Sequence, residues 1–379
     1  MPKIVDISAA EDPRDVVHEI VQTLAEGELA GLPTETGYVV AAHALQAVAV
    51  ERLARVRQRI GIARSVLSLK SPQEALDYVP QMGPLGRKLI RRFWPGPVTL
   101  LFADPTGPGL AAALPQEARA EVVKDAEIAL RVPAQELTAN VLRLLPAPLV
   151  ITGDVPGPTS RFSAAADLGK AAADDVAIIA DSGQCRYDLP TTLVRVADRR
   201  WQVVHEGVAS TRTLNRLAGT MYLFVCTGNT CRSPMAEGLF RKLLAERLGC
   251  AEEELVDRGY VVVSAGVAAG SGSPASPEAI EILRGRGVDL RGHESQPVTA
   301  RLLSQADRIF TMTRSHRDLL IREFPETEPR TRLLASDGSD VIDPLGAGLD
   351  EYRDCAVQIE SYLRDVVADL PVREPEEHS

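Results

Sequence analysis

The chain has 379 residues, of which 45% are apolar and 25% are charged, and its formal net charge is −10. This length predicts two domains, at roughly 100–200 residues per domain, and the composition is that of an ordinary globular protein. The negative charge argues against a nucleic-acid surface spread over the whole molecule, although a local basic groove is compatible with it. No apolar run approaches the ~20 residues of a membrane span, and the first residues lack the features of a signal peptide.

The cysteines are odd in number and irregularly spaced, at Cys185, Cys226, Cys231, Cys250 and Cys355. This pattern argues against the paired framework of a small secreted protein and favours a reducing cytoplasm. The chain has no Cys-x-x-Cys pair, and its six histidines do not cluster with cysteine, so no metal site is predicted. We therefore expect a cytoplasmic protein without a membrane partner.

The first predicted domain, residues 1–212, alternates strand-like apolar runs with helix-like stretches. The predicted helices cover residues 13–26, 45–56 and 84–93. The predicted strands cover residues 148–152, 177–180, 192–196 and 201–205. Such alternation predicts an α/β domain in which helices flank a twisted sheet.

A polar segment, residues 213–220, is predicted as a linker to a second domain at residues 221–379. The predicted strands of this second domain are residues 222–225, 260–264 and 308–312. Its predicted helices are residues 235–248, 276–286, 300–305 and 350–370. The alternation predicts a parallel sheet with helices on both faces, so the fold class is α/β in two domains.

The segment from Cys226 to Pro234, Cys-Thr-Gly-Asn-Thr-Cys-Arg-Ser-Pro, lies between a predicted strand and a predicted helix. Pro234 suits the first helical position, where a missing N–H costs nothing. Gly228 permits the sharp path of a loop whose backbone N–H groups surround an anion. The segment therefore predicts an oxyanion-binding loop at a helix N-terminus.

Cys226 ends the predicted strand, where its sulfur is placed to attack phosphorus. Inward N–H groups, a helix N-terminus and a nearby guanidinium favour the thiolate. Arg232, six residues later, can donate two hydrogen bonds to phosphoryl oxygens and stabilise the charge that grows on them. Asn229 and Ser233 can hold the loop's shape and help the thiolate leave. The alternative is that Cys226 is an unreactive buried cysteine.

From Tyr222 to about residue 370 the chain resembles the low-molecular-weight protein tyrosine phosphatases, and within them the bacterial branch that includes protein arginine phosphatases. The motifs that carry this resemblance follow one another in the family's order and span nearly the whole second domain. They are the Cys-x5-Arg loop, Met-Ala-Glu at 235–237, Ser-Ala-Gly-Val at 264–267, His293, and Asp343-Pro344.

The resemblance implies a phosphatase that needs no cofactor and acts on phosphorylated proteins. It implies Cys226 as the nucleophile, Arg232 as the transition-state clamp and Asp343 as the general acid. The Asp343 carboxyl can protonate the leaving group and then activate water against the phospho-cysteine; a plain Asp-Pro turn is the alternative. The implied phosphate-binding residues are Thr227, Gly228, Asn229, Thr230, Cys231 and Ser233.

Two residues bear on the substrate. Thr230 stands where tyrosine-specific members typically carry a bulkier aliphatic residue, and a threonine there is associated with arginine phosphatases. Leu345 departs from the aromatic residues of tyrosine-directed members and from the phenylalanine of arginine phosphatases. Because an aliphatic wall is a weaker platform for a phenol ring, phosphoarginine is favoured over phosphotyrosine.

The remaining cysteines bear on redox chemistry. In the family the cysteine equivalent to Cys231 can trap an oxidised nucleophile as a disulfide, and a small packed side chain is the alternative. The related thioredoxin-coupled arsenate reductases need two further cysteines. Cys250 and Cys355 are far apart and lack the matching motifs, so that activity is disfavoured.

Residues 1 to about 210 resemble the threonylcarbamoyl-AMP synthase (YrdC-like) family. The motifs that carry the resemblance are residues 33–36 (Pro-Thr-Glu-Thr) with Tyr38, residues 94–99 (Trp-Pro-Gly-Pro-Val-Thr), residues 131–133 (Arg-Val-Pro) and residues 190–192 (Pro-Thr-Thr). The resemblance implies a cleft that binds ATP and Mg²⁺ for a tRNA modification. The implied cleft residues are Thr34, Arg57, Arg59, Arg131, Thr152 and Asp154.

This first domain departs from the family pattern at its centre. The family's Lys-x-Arg is Arg57-Gln58-Arg59 here, and its Ser-x-Asn is Thr152-Gly153-Asp154. Arginine does not replace a compact lysine ammonium, and Asp154 would repel a triphosphate unless Mg²⁺ intervened. The family's final arginine is replaced at His205-Glu206. A retained scaffold with an altered site favours a binding or regulatory module over an active synthase.

Three functional hypotheses follow. The first is a fusion whose working enzyme is the phosphatase, and the second is a threonylcarbamoyl-AMP synthase with an accessory phosphatase. The third is a nucleic-acid-binding protein with neither activity, because clustered arginines can bind the phosphates of nucleotides, tRNA or double-stranded RNA. These arginines, which can equally form a solvated helix face, are Arg52, Arg55, Arg57, Arg59 and Arg64.

Overall fold

The computed structural model describes residues 2–104, 109–153, 162–172, 175–198 and 200–370. The chain divides into two compact units, Met1–Leu217 and Ala218–Ser379. Each unit combines helices with a sheet, which confirms the predicted two-domain α/β fold class. Within the ranges just given, no helix has both the length and the apolar character to cross a bilayer.

The sheet of the N-terminal unit has eleven strands among the described residues. They are β1 (Lys3–Asp6), β2 (Leu29–Pro33), β3 (Tyr38–His43), β4 (Val66–Ser68), β5 (Val98–Ala103), β6 (Val123–Lys124), β7 (Glu127–Arg131), β8 (Leu149–Thr152), β9 (Val176–Asp181), β10 (Thr192–Val196) and β11 (Trp201–His205). Their order is β1-β9-β2-β3-β8-β4-β7-β5-β10-β11, with β6 paired to β7. The sheet is mixed, since β2 runs parallel to β9 but antiparallel to β3.

Helices cover this mixed sheet. They are α1 (Pro13–Ala25), α2 (Ala47–Arg59), α3 (Ala75–Tyr78), α4 (Pro84–Phe93), α5 (Leu110–Ala113), α6 (Gln116–Val122), α7 (Glu136–Leu144), α8 (Ala165–Ala171) and α9 (Thr211–Ala218). Helix α1 begins at Pro13 because the Asp12 side chain accepts a hydrogen bond from the Arg14 N–H. Its apolar face, with Ile20 and Leu24 fully buried, packs into the core against the strands.

The C-terminal unit has a four-stranded parallel sheet among the described residues. Its strands are β12 (Thr220–Cys226), β13 (Tyr260–Gly266), β14 (Arg308–Thr311) and β15 (Thr331–Leu333). Their order is β13-β12-β14-β15, so the chain moves from β12 to one side and then returns to the other. In open parallel sheets, this reversal of strand order leaves a crevice at the carboxyl end of the first strand, where ligands bind.

Five helices surround the parallel sheet in the described part of this unit. They are α10 (Arg232–Leu248), α11 (Pro277–Arg284), α12 (Ala300–Gln305), α13 (Arg314–Glu323) and α14 (Leu349–Ala368). Helix α10 places Met235, Leu239 and Phe240 in a core that also contains Phe224 of β12 and Ile359 of α14. Phe224 and Phe240 lie with ring centroids 5.3 Å apart in an edge-on arrangement. This core fixes α10 relative to the strand that precedes it.

One local prediction needs correction. Helix α10 begins at Arg232 rather than Met235, so Pro234 is its third residue instead of its first. Pro234 is tolerated there because the first four N–H groups of a helix have no partner within the helix. Residues 213–220, the predicted linker, contain the boundary between the two compact units and are helical up to Ala218, where α9 ends.

Candidate active site

The loop between β12 and α10 carries the predicted phosphate-binding residues. Cys226 is the last residue of β12, and Arg232 is the first residue of α10. The loop therefore lies at the carboxyl end of the strand where the sheet order reverses. The β12–loop–α10 arrangement directs the N-terminus of a seventeen-residue helix at the loop, which favours a bound anion.

The thiol of Cys226 is buried and faces polar groups. The backbone N–H of Asn229 donates a hydrogen bond to its sulfur at 3.2 Å. The Ser233 hydroxyl lies 2.9 Å from the same sulfur. Cys226 also belongs to the buried core of the C-terminal unit, but its sulfur has two polar neighbours that can stabilise a negative charge there.

Asn229 holds the loop in shape. It has a φ of 56°, in the left-handed region that asparagine tolerates better than most residues. Its fully buried side chain donates to the hydroxyls of Ser233 at 3.0 Å and Ser264 at 2.9 Å, and accepts from the Gln296 N–H at 2.8 Å. The prediction that Gly228 makes the sharp turn was wrong, since the left-handed residue is Asn229.

A second layer supports Asn229. The Ser264 hydroxyl donates to Glu237 of α10 at 2.5 Å. The Nε2 atom of His293 lies 2.8 Å from the carbonyl oxygen of Asn229, so the ring donates there. Behind the loop, a Cβ on Gly266 would lie 2.4 Å from the carbonyl oxygen of Thr227, so only glycine fits. The motifs at residues 235–237, 264–267 and His293 thus converge on one loop.

Arg232 and Asp343 meet in the structure. The Nη2 atom of Arg232 lies 2.6 Å from a carboxylate oxygen of Asp343. The guanidinium side chain is 6% exposed, whereas the Asp343 side chain is 49% exposed. The Asp343 carboxylate also accepts from the Leu345 N–H at 3.2 Å, and Leu345 is 72% exposed. The pair therefore has one fixed member and one member that solvent reaches.

The remaining loop residues are held by neighbouring elements. The carbonyl oxygen of Thr230 accepts from the Ser276 N–H at 2.9 Å. The sulfur of Cys231 lies 3.1 Å from the Tyr352 hydroxyl and 3.6 Å from the Thr230 hydroxyl. Burial raises the pKa of Tyr352 to about 12, and the hydrogen bond with Cys231 acts in the same direction. A disulfide between Cys231 and the nucleophile stays a prediction.

Two predicted residues of the N-terminal unit, Thr34 and Arg131, share the Thr36 hydroxyl as a neighbour. Fully buried Arg131 pairs with Glu35 at 2.8 Å and donates to the Thr36 hydroxyl at 3.3 Å. The Thr34 hydroxyl lies 3.2 Å from that of Thr36 and donates to the Gly37 carbonyl at 2.6 Å. Burial disfavours a charged Glu35, but the charge and hydrogen bond of Arg131 outweigh it and hold the pKa of Glu35 below its ordinary value.

The other predicted cleft arginines pair with acids. Arg57 donates to Glu121 at 2.7 and 3.2 Å, and Arg59 donates to Asp175 at 2.7 Å. Both arginines lie in the last turn of α2. Thr152 is buried at the end of β8, with a hydroxyl that has no hydrogen-bond partner in the described part of the chain. Asp154 lies outside the described residues.

Comparison with known proteins assigns both parts of the chain. The profile described as low molecular weight phosphotyrosine protein phosphatase matches residues 222–374. A protein-arginine-phosphatase of Bacillus subtilis is 37% identical over 152 residues, which are 39% of this chain and 95% of the relative. The chain belongs to the low molecular weight phosphatase family. Its C-terminal unit is therefore a cysteine-dependent phosphatase domain, as the loop predicted.

Further similarities extend this assignment. A probable low molecular weight protein-tyrosine-phosphatase of Ralstonia solanacearum is 34% identical over 36% of this chain and 87% of its own length. The Sua5/YciO/YrdC profile, described as telomere recombination, matches residues 22–207. A variant of Sua5 from P. abyssi superposes with a TM-score of 0.50 and 16% identity, covering 70% of this chain and 91% of that one. The resemblance of the N-terminal unit to YrdC-like proteins is confirmed. At 16% identity, the superposition shows only that the two proteins share a fold.

One residue of the phosphatase site escaped the sequence analysis. His316 of α13 is buried, and its Nε2 atom lies 2.9 Å from the Thr227 hydroxyl in the phosphate loop. Burial lowers the pKa of His316 to about 4, and the positive charge of Arg232 acts in the same direction. The available signal was Thr313, three residues earlier, whose side chain caps α13 by accepting from the His316 N–H.

The phosphatase site contains the groups for two-step phosphoryl transfer without a metal. It combines a sulfur, polar donors around it, a buried guanidinium and a solvent-accessible carboxyl. No group of three or more His, Cys, Asp or Glu side chains in the described ranges is arranged to hold a metal ion. Nucleophile, charge stabilisation and proton transfer can all come from side chains and backbone of this domain.

Proposed function

We propose that the C-terminal domain hydrolyses phosphoarginine in proteins through a phospho-cysteine intermediate on Cys226. The observation that carries the proposal is the surroundings of one sulfur. It is contacted by the Asn229 N–H and the Ser233 hydroxyl, in the loop that leads to Arg232, and Asp343 reaches Arg232 from a distant segment of the chain. The proposed roles of Cys226, Arg232 and Asp343 are those that the family resemblance implies, and the chemistry of these groups supports them.

In the first step the Cys226 thiolate attacks phosphorus and an S–P bond forms. The bond from phosphorus to the guanidino nitrogen breaks, and that nitrogen keeps the electron pair. The Asp343 carboxyl, protonated when it acts, gives its proton to the departing nitrogen. Arg232 hydrogen-bonds the phosphoryl oxygens as the charge on them grows, in place of its bond to Asp343.

In the second step a water molecule attacks the phospho-cysteine. The Asp343 carboxylate takes a proton from that water, so the group that acted as acid now acts as base. The S–P bond breaks and the sulfur leaves as a thiolate, stabilised by the Asn229 N–H and the Ser233 hydroxyl. Inorganic phosphate is the product, and the enzyme returns to its starting state without a cofactor.

Three observations support phosphoarginine as the substrate. Relatives of the phosphatase domain in Bacillus subtilis and Geobacillus stearothermophilus are named protein-arginine-phosphatases. Thr230 keeps a short polar side chain in the phosphate loop. The exposed residue beside Asp343 is aliphatic Leu345, which offers no aromatic surface for a phenol ring. Phosphotyrosine, named for other relatives, is the competing substrate.

The test uses two peptides of one sequence, carrying either phosphoarginine or phosphotyrosine. We expect kcat/KM to be at least about 10-fold higher for phosphoarginine. Thr230→Ile should shift the preference toward phosphotyrosine by about 10-fold, because a bulkier side chain fills the space for a guanidinium. Thr230→Val, of similar size to threonine, is the matched control. A preference for phosphotyrosine in the unmodified protein would refute the substrate but not the phosphatase mechanism.

We further propose that the N-terminal domain binds nucleotide without making threonylcarbamoyl-AMP. Arg57 and Arg59, which stand at the family's Lys-x-Arg, are occupied by Glu121 and Asp175. Cations held by acids bind a triphosphate only if the ion pairs open, which weakens the site. With threonine, bicarbonate, ATP and Mg²⁺, we expect no pyrophosphate, whereas calorimetry should detect only weak ATP binding, because the two ion pairs must open first. Pyrophosphate release would establish synthase activity and overturn the proposal. The cytoplasmic location stays a prediction.

A further inference from the structure

A chain of side-chain contacts leads from α13 to the phosphate loop. The Thr227 hydroxyl lies 2.9 Å from Nε2 of His316, and Nδ1 of the same ring lies 2.9 Å from the Thr313 hydroxyl. The Thr313 hydroxyl lies 2.9 Å from that of Ser315. At the other end, Nη2 of Arg232 lies 3.5 Å from the Thr227 hydroxyl. One buried imidazole thus connects the cap of a helix to the residue beside the nucleophile.

The charge on this imidazole determines what it can accept. The ionised groups that act on His316 are Arg232 of α10, which opposes protonation, and Asp343 and Asp340, which favour it. Burial and Arg232 prevail, so the pKa of the ring is about 4. At neutral pH the ring therefore has one N–H and one nitrogen with a free lone pair.

Either tautomer of the neutral ring fits these contact distances, and with the proton on Nδ1 each group along the chain of contacts donates to the next one away from Arg232. A guanidinium only donates, so the Thr227 oxygen accepts from Arg232. In that tautomer the Thr227 hydroxyl donates to Nε2 of His316, and the ring N–H on Nδ1 donates to Thr313. Thr313 then donates to Ser315. With a proton on Nε2 the ring would donate to the Thr227 oxygen instead, and the hydroxyl hydrogen could no longer be held by the ring.

We propose that His316 is a positioning residue that orients the Thr227 hydroxyl so that its lone pairs hold the Arg232 guanidinium toward the phosphate loop. In the described residues, the side-chain partners of Arg232 are Asp343 and Thr227. When Asp343 moves to the leaving group, Thr227 is the partner that stays, because it belongs to the loop itself. The inference rests on the proposed catalytic roles of Arg232 and Asp343.

The experiment compares four full-length variants with the unmodified protein. His316→Phe keeps a planar ring without an acceptor, and His316→Gln restores a side-chain oxygen within reach of Thr227. Thr227→Val removes the hydroxyl at the other end of the contact. His18→Phe makes the same change at an exposed histidine of the N-terminal domain. The readouts are kcat and KM for a chromogenic aryl phosphate, and the Kd of inorganic phosphate measured by calorimetry.

We expect His316→Phe to lower kcat by about 10-fold and to weaken phosphate binding by about 10-fold, which is the effect of one hydrogen bond to a charged group. His316→Gln should recover most of both losses, and His18→Phe should change neither. Thr227→Val should match His316→Phe, and the double variant should lose no more than either single variant, because both changes break one connection.

Losses that multiply in the double variant would overturn the proposal, as would unchanged phosphate affinity in His316→Phe. If His316→Phe fails to fold, Thr227→Val and His316→Gln still decide the question. Phosphate binding needs no turnover, so it can be measured in a Cys226→Ser background. A failure of the proposed catalytic mechanism would therefore leave a different signature from a failure of the positioning role.

Discussion

The two domains each contain a buried arginine paired with a carboxylate, and the two pairs differ in the exposure of the acid. Arg232 meets Asp343 at 2.6 Å, with the Asp343 side chain 49% exposed. Arg131 meets Glu35 at 2.8 Å, with the Glu35 side chain 5% exposed. A phosphate can displace Asp343 into water at little cost, whereas displacing Glu35 would leave a carboxylate buried without a partner. A buried arginine can therefore bind an anion only if its carboxylate partner can move into water when the anion arrives.

The largest effect should come from breaking the Arg232–Asp343 pair, whose acid is exposed. Arg232→Ala should lower kcat by about 1000-fold or more, as expected when an arginine that stabilises phosphoryl charge is removed. The free energy of unfolding of the C-terminal domain should fall by only about 1 kcal/mol, because water can solvate the freed Asp343. Arg258→Ala, at a surface pair with Glu254, is the control. Steady-state kinetics and urea unfolding followed by circular dichroism give both numbers.

Breaking the Arg131–Glu35 pair, whose acid is buried, should instead lower stability and leave catalysis unchanged. Arg131→Ala should lower the stability of the N-terminal domain by about 3–5 kcal/mol, because a buried carboxylate loses its partner, and should leave phosphatase kcat unchanged. Arg59→Ala, at the half-exposed pair with Asp175, should cost about 1 kcal/mol or less. Both tryptophans, Trp94 and Trp201, lie in this domain, so their fluorescence during urea unfolding reports on it alone. Equal costs for the two variants would contradict the distinction.

The smallest effect is a dependence of N-terminal domain stability on pH, which the Arg131–Glu35 pair should impose. Because the folded-state pKa of Glu35 lies below its ordinary value of 4.5, its contribution to stability is fully present above that pH and is lost as pH falls through the folded-state pKa. The urea midpoint of the tryptophan signal should therefore fall below about pH 4.5. Glu35→Gln should remove this part of the pH dependence. If the urea midpoint of that variant falls at low pH as it does in the unmodified protein, other carboxyl groups cause the fall.

Spacing in the sequence was enough to group the loop residues of the predicted phosphatase site, whereas Asp343 was implied by the family resemblance. Cys226, Arg232 and Ser233 lie within eight residues, so the strand–loop–helix pattern brought them together. Contacts between distant segments were harder. The pairs Arg57–Glu121 and Arg59–Asp175 join residues far apart in sequence, and no local pattern names a partner at that separation.

Two other features were missed for local reasons. Helix α13 lies in a strongly polar stretch of the chain, and neither it nor His316 was predicted. The turn at Asn229 was assigned to the neighbouring Gly228, because glycine is the usual left-handed residue. Only the three hydrogen bonds of the Asn229 side chain explain why asparagine takes that conformation here.

The contact between Gly266 and the phosphate loop has a consequence for variants found by random mutagenesis. Its missing side chain would lie 2.4 Å from the Thr227 carbonyl oxygen and 2.9 Å from the Asn229 nitrogen, so an added methyl group would push directly on the main chain that cradles phosphate. Alanine at this position would therefore score as an inactive enzyme, although it deletes no functional group and adds only one carbon. A screen that ranks positions by the chemistry of their side chains would overlook a site defined by empty space.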